Sequence, residues 1–156
     1  MAERHSILLS VRVGEDSLAT GRTAAWLADA LEADITMVNV AIELEGARQV
    51  AAAGGLEEAD VRARMIDEAR AMAEAWGRQA LSGRPFQLIM EEGDVAERVA
   101  ATAEAIGAEL IVAGSQARGA LKGIILGDTT REILRRAHCP VVVVPPGAEV
   151  GGAGPE

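Results

Sequence analysis

The residues of this chain best suited to chemistry lie in one run near its end, Gly114-Ser115-Gln116-Ala117-Arg118-Gly119-Ala120-Leu121-Lys122-Gly123-Ile124-Ile125-Leu126-Gly127-Asp128-Thr129-Thr130. It follows an apolar strand, Leu110-Ile111-Val112-Ala113, and precedes a short helix that leads into Cys139-Pro140-Val141-Val142-Val143-Val144-Pro145. A glycine-rich loop between a strand and a helix is a phosphate cradle. Glycines let the backbone approach an anion, and the helix N-terminus presents unpaired N–H groups with partial positive charge. Arg118 and Lys122 are the cations within the loop.

Other chemistries find little support. Cys139 is the only cysteine, so no intrachain disulfide forms, and His138 beside it points elsewhere on a helix end or strand. Cys139 reads as a small residue before a buried strand. The sequence has no Gly-x-x-x-x-Gly-Lys-Ser/Thr loop, no Ser-Gly-Gly-x-Asp-Ser loop and no His-x-x-His element. Nor does Gly-x-Gly-x-x-Gly follow the first strand, and no carboxylate pair or histidine cluster points to a metal.

The net charge of −9 repels phosphate backbones, and one phenylalanine, two tryptophans and no tyrosine make no platform for stacking bases. Nucleic acid is therefore not an expected partner. A membrane is not expected either, since no apolar run reaches the roughly 20 residues a spanning helix needs. Met1-Ala2-Glu3-Arg4-His5 lacks the basic-then-apolar order of a signal peptide, and cytoplasmic residence is expected. A length of 156 residues with 49% hydrophobic content suits one domain with a sizeable core.

The elements that position the loop alternate along the chain. Ser6–Val11 reads as the first strand, and Asp16 or Ser17 as the cap of a helix whose stripe is Ala24, Leu27 and Leu31. Ile35–Val40 is a second strand rich in β-branched residues. Ala51-Ala52-Ala53 reads as a helical turn before Gly54-Gly55. Val61, Met65, Ala69, Met72, Trp76 and Ala80 mark the buried stripe of a long helix, which Ser82-Gly83-Arg84-Pro85 stops. Phe86–Met90 is the third strand. Asp94 with Glu97 is a capping signal for a helix lined by Val95, Val99 and Ile106 and ended by Gly107. Leu110–Ala113 and Val141–Val144 are the fourth and fifth strands. Strands apolar on both faces, alternating with helices, predict a three-layer α/β/α domain around a parallel sheet joined by right-handed crossovers. Ligands in such sheets sit beyond the strand C-termini, here at the ends of the first and fourth strands. Residues 1–146 are expected to form the domain and 147–156 a flexible Gly- and Pro-rich tail.

Three segments, Gly93-Asp94-Val95-Ala96-Glu97, Gly107–Ser115 and Cys139–Val144 with the loop between, resemble the C-terminal half of the universal stress protein family in order and spacing. The resemblance runs from about Ser6 to Pro145. It implies a five-stranded parallel sheet of order 3-2-1-4-5, Rossmann-like and similar to the adenine nucleotide alpha hydrolases. It also implies homodimers, often formed by fifth strands meeting antiparallel through Val141, Val142, Val143 and Val144. An apolar edge strand is physically suited to that use.

Many members of the family bind ATP through Gly, two residues, Gly, nine residues, Gly, then Ser or Thr. Gly114 and Gly127 match the first and third glycines, whereas Ala117 stands at the second and Asp128 at the Ser/Thr. The first strand of ATP binders usually ends in an aspartate, and Arg12 takes that place. If nucleotide binds, the resemblance assigns it Ser10, Val11, Arg12, Val40, Ala113, Gly114, Ala117, Arg118, Gly127, Asp128 and Thr129. Aspartate can cap the last helix, but its carboxylate takes the positive helix end that phosphate needs. Arg12 has three outcomes: pairing with Asp128 across the cleft, gripping a phosphate, or pointing to solvent. The expected function is a dimeric stress-response module acting through an unknown protein partner, with ATP binding weakened or lost and no catalytic residues. The alternative is a member that senses ATP or another adenine nucleotide through the Gly114–Thr129 loop.

Overall fold

A computed structural model describes residues 3–14, 17–41, 46–115 and 126–151. Asp16, Ala117, Arg118 and Lys122, singled out in the sequence, lie outside the described residues. The chain order is β1 (His5–Ser10), α1 (Leu18–Leu31), β2 (Ala33–Ala41), α2 (Ala47–Gly54), α3 (Glu58–Ala80), β3 (Phe86–Glu92), α4 (Val95–Ile106), β4 (Leu110–Gly114), α5 (Asp128–Arg136) and β5 (Val141–Val144). The strands form one sheet in the order β3-β2-β1-β4-β5, every pair parallel.

Alternation along each strand divides the core between the two faces. Ile7, Leu9, Ile35, Met37 and Val112 pack on one side with Ala24 and Ala28 of α1 and with Ala73, Trp76 and Ala80 of α3. Leu8, Val38, Ile111 and Ala113 face the other side, against Ala96, Val99 and Ala103 of α4 and Ile133 of α5. Both faces are thus covered, as an all-parallel sheet requires.

Local signals account for most boundaries. The Asp94 side chain accepts a hydrogen bond from the Glu97 amide at 2.9 Å and caps α4, which Gly107 ends at φ 66°. Gly55 ends α2 at φ 64°, so the stretch read as a turn around Ala51 is an eight-residue helix. Its Ala47 and Ala51 pack on Val61 in a small satellite cluster.

Two expected stripes are shifted. In α1 the buried face is made of small residues, Ala19, Thr20, Gly21, Thr23, Ala24 and Ala28, while Leu31 is exposed. The reason is close helix packing: a Cβ on Gly21 would lie 2.5 Å from the Ala80 Cβ. In α3, Met72 is 62% exposed and Ala73 takes the core position. After β5 the chain has no further helix or strand to residue 151. Ala148 packs against the first core cluster, and Gly151 lies against Trp26.

Candidate functional site

The C-terminal ends of β1, β2 and β4 open onto one rim. Beyond Ser10, the chain turns through Val11, Arg12, Val13 and Gly14 into α1. Val11 and Val13 pack against the first core cluster, which leaves Arg12 outward and exposed. The Trp76 indole N–H donates to the Gly14 carbonyl at 3.1 Å, and Ser17 donates to the same oxygen through its amide at 3.2 Å and its hydroxyl at 2.6 Å. The turn carrying Arg12 is therefore pinned from below by the long helix. Ser17 holds the N-cap position of α1 but makes no capping hydrogen bond with its side chain.

The α3 helix is longer than the sheet is deep. Its 23 residues span about 34 Å at ~1.5 Å per residue, against about 23 Å for the seven residues of β3 at ~3.3 Å. It runs against the strand direction, so its first half overhangs the rim. There Met65, Glu68, Ala69 and Met72 form one wall of a cleft of about 410 Å³. Val38, Asn39, Val40 and Ala41 of β2 form the floor, Ser10, Val11, Arg12 and Val13 a second wall, and Val95 and Thr129 the far end. Among the described residues, the charged groups lining it are Arg12 and Glu68. The rest is apolar or neutral, the lining of a small-molecule site with a few orienting polar groups.

The far end is built by β4 and α5. The Thr130 hydroxyl donates to the Gly114 carbonyl at 2.9 Å, and the Gly127 amide donates to the Ser115 carbonyl at 2.9 Å. These bonds seat the α5 N-terminus over the end of β4. Gly127, not Asp128, holds the N-cap position, in extended geometry with no side-chain cap. Asp128 is the first helical residue; its side chain is fully exposed and lies 3.6 Å from Arg131. A second, smaller pocket of about 80 Å³ lies between β1, β4 and α1, and Ser10, Val11 and Arg12 line both.

The sequence profile described as the universal stress protein family matches residues 4–145, nearly the whole chain. The chain belongs to the universal stress protein family. A universal stress protein of Methanocaldococcus jannaschii, MJ0531, is 34% identical over 79 residues, which cover 51% of this chain and 43% of that one. The chain thus spans less than half the length of that curated relative. Among solved structures, the hypothetical protein MJ0577 superposes with a TM-score of 0.71 at 22% identity, covering 93% of this chain and 98% of its own. The Archaeoglobus fulgidus universal stress protein in complex with dAMP superposes with a TM-score of 0.63 at 16% identity, covering 92% and 99%. At these identities the structural likeness is one of fold, and the strand order expected from the resemblance is the one observed.

Against the family pattern, the site residues do not share one location. Ser10, Val11, Arg12, Val40 and Thr129 converge on the large cleft. Gly114 lines the small pocket, and a Cβ there would meet the Thr20 hydroxyl at 3.2 Å, a close backbone approach that favours glycine. Ala113 is instead buried in the second core cluster, because its side chain alternates away from the rim. Asp128 does not cap α5, and among the described residues no ion pair joins it to Arg12; its nearest cation is Arg131, one helical turn along. Of the three outcomes open to Arg12, pairing with Asp128 is not seen among the described residues, and Arg12 is exposed.

Sequence reasoning missed the cleft wall on α3. Met65, Ala69 and Met72 recur at spacings of four and three, and were read as core with Trp76. Two adjacent stripes on a helix longer than its sheet were the available signal. It also missed Ser17, Thr20 and Ser115 of the small pocket. Cys139 is half-buried, and burial pushes its thiol up, away from thiolate chemistry.

Proposed function

We propose that this universal stress protein is a regulatory binding module whose cleft takes an adenine nucleotide, with the triphosphate form disfavoured. The observation that carries the reading is the 410 Å³ cleft, open and walled by Met65, Ala69 and Met72 on one side and by the end of β1 on the other. Thioether and methyl groups suit the faces of a purine. The carboxylate of Glu68 is an acceptor for ribose hydroxyls, and the Arg12 guanidinium is a donor for phosphoryl oxygens. The fold-level neighbour in complex with dAMP supports an adenine mononucleotide as the ligand class. Asp128 in the first turn of α5 works against the additional negative charge of a triphosphate.

The same reading assigns binding and no turnover: among the described residues the titratable lining groups are Arg12 and Glu68, and they make no nucleophile–base pair. It also assigns a homodimer through β5, an edge strand of the sheet. Pro140 and Val144 accept hydrogen bonds from β4 through their carbonyls, so Val142 bonds inward by parity, and Val141 and Val143 turn their backbone groups outward. Signal output through a protein partner completes the proposal.

Calorimetric titration with adenosine, AMP and ATP tests it. AMP binds more tightly than ATP, and Ala69→Trp, which fills the cleft, lowers the affinity for all three at least tenfold while leaving the melting temperature unchanged. Absence of adenosine and AMP binding, or ATP binding more tightly than AMP, overturns the reading.

A further inference from the structure

The small pocket beside the cleft has a composition that the cleft does not share. Ser10, Ser17, Thr20 and Ser115 bring four hydroxyls to it, and Arg12 stands on the rim it shares with the cleft. Ser115 is 3% exposed, and its hydroxyl oxygen is buried with no hydrogen-bond partner among the described residues. A buried hydroxyl left unpaired is costly, and a ligand acceptor at that spot removes the cost.

The pocket also lies at the N-terminus of α1, a 14-residue helix. Ser17 spends its hydroxyl on the Gly14 carbonyl, so among the described residues no side-chain cap serves the first-turn amides. Those N–H groups are donors in want of an acceptor, carrying the positive end of the helix dipole. The first turn of α1 contains no acidic residue, whereas the first turn of α5 contains Asp128. Of the α1 and α5 N-termini, that of α1 is the better one for an anion. Glu15 and Asp16, which precede Ser17 in the sequence, lie outside the described residues.

Size selects the anion. A volume of about 80 Å³ is two to three times the ~30 Å³ share of a water molecule and admits one phosphoryl group. It is far smaller than the 410 Å³ cleft proposed for the purine. Because Ser10, Val11 and Arg12 line both cavities, a ligand can lay its base in the large one and its phosphoryl group in the small one across the end of β1.

Resting on the adenine-nucleotide reading, we propose that the phosphoryl group of an adenosine monophosphate sits at the α1 N-terminus, on the hydroxyls of Ser115 and Thr20 with Arg12 closing over it, and not at the α5 N-terminus. The mononucleotide is then the preferred ligand because its single phosphoryl group fills the pocket and further phosphoryl groups have no place in it.

Titration of the full chain with adenosine and with AMP, followed by backbone amide NMR shifts, tests this. The shifts that AMP causes and adenosine does not should fall on Leu18, Ala19, Thr20 and Ser115. In Arg12→Gln and in Ser115→Ala the AMP-to-adenosine affinity ratio should drop about tenfold or more, the scale of a lost charge-assisted contact. Phosphate-dependent shifts at Thr129 and Thr130 in place of α1, or an affinity ratio near one in the wild type, overturn the inference and leave the cleft reading standing. Failure of adenosine as well as AMP to bind overturns both.

Discussion

Replacing Gly21 with alanine tests how the rim is held in place. On intrinsic grounds the change should stabilise, because alanine in a helix interior is better than glycine by about 1 kcal/mol. The structure reverses the sign. A Cβ at residue 21 would lie 2.5 Å from the Ala80 Cβ and 3.0 Å from the Trp76 ring. Neither neighbour can give way: Ala80 has no rotatable side chain, and Trp76 is 6% exposed and tied to the Gly14 carbonyl. Overpacking costs about 1–3 kcal/mol, and a contact this short against a fixed methyl belongs at the upper end. About 3 less about 1 leaves a loss of about 2 kcal/mol. For a chain of this size that lowers the melting temperature by about 4–8 °C, read by calorimetry or by circular dichroism. Trp76 is displaced with the helix, so its fluorescence should shift and AMP affinity should fall with it through the Arg12 turn. The double change Gly21→Ala with Ala80→Gly should recover stability relative to the sum of the single changes. A Gly21→Ala protein as stable as the wild type, or more so, refutes the packing argument.

Three further outcomes follow from single contacts. Asp94→Ala should destabilise by about 1 kcal/mol through loss of the α4 cap, and Asp94→Asn by much less, as measured by urea denaturation. Val143→Pro removes an outward N–H from the edge strand and no bond to β4; sedimentation should show a folded monomer, and a persistent dimer would place the interface elsewhere. The Cys139 thiol is held protonated by burial, so its alkylation by iodoacetamide should reach half its maximum rate at a pH above that of a free cysteine. The sign for stability is the same: as pH rises past the unfolded thiol's pKa, the unfolded state loses its proton first, and stability falls. A half-maximum below the free-thiol value contradicts the burial argument.

The fold was largely legible because its signals are local and agree with one another. Strands apolar on both faces, Asp94 three residues before Glu97, and glycines at helix ends all announce themselves in short windows. The C-terminal family segments supplied the strand order, which local periodicity does not contain. What was not legible depended on three-dimensional reach. Met65, Ala69 and Met72 keep helical spacing whether they face a core or a cleft, and only the overhang of α3 beyond β3 separates the two. Asp128 carries a capping residue type, yet Gly127 takes the cap position and Asp128 turns outward to Arg131. The small pocket assembles Ser10, Ser17, Thr20 and Ser115 from three segments, and no window of sequence brings them together.

A crystal structure of the protein grown with AMP measures the central claim most directly. The account predicts adenine lying against Met65, Ala69 and Met72 with Val40 beneath it. Purine density outside that cleft, or a cleft left without nucleotide at saturating AMP, contradicts it.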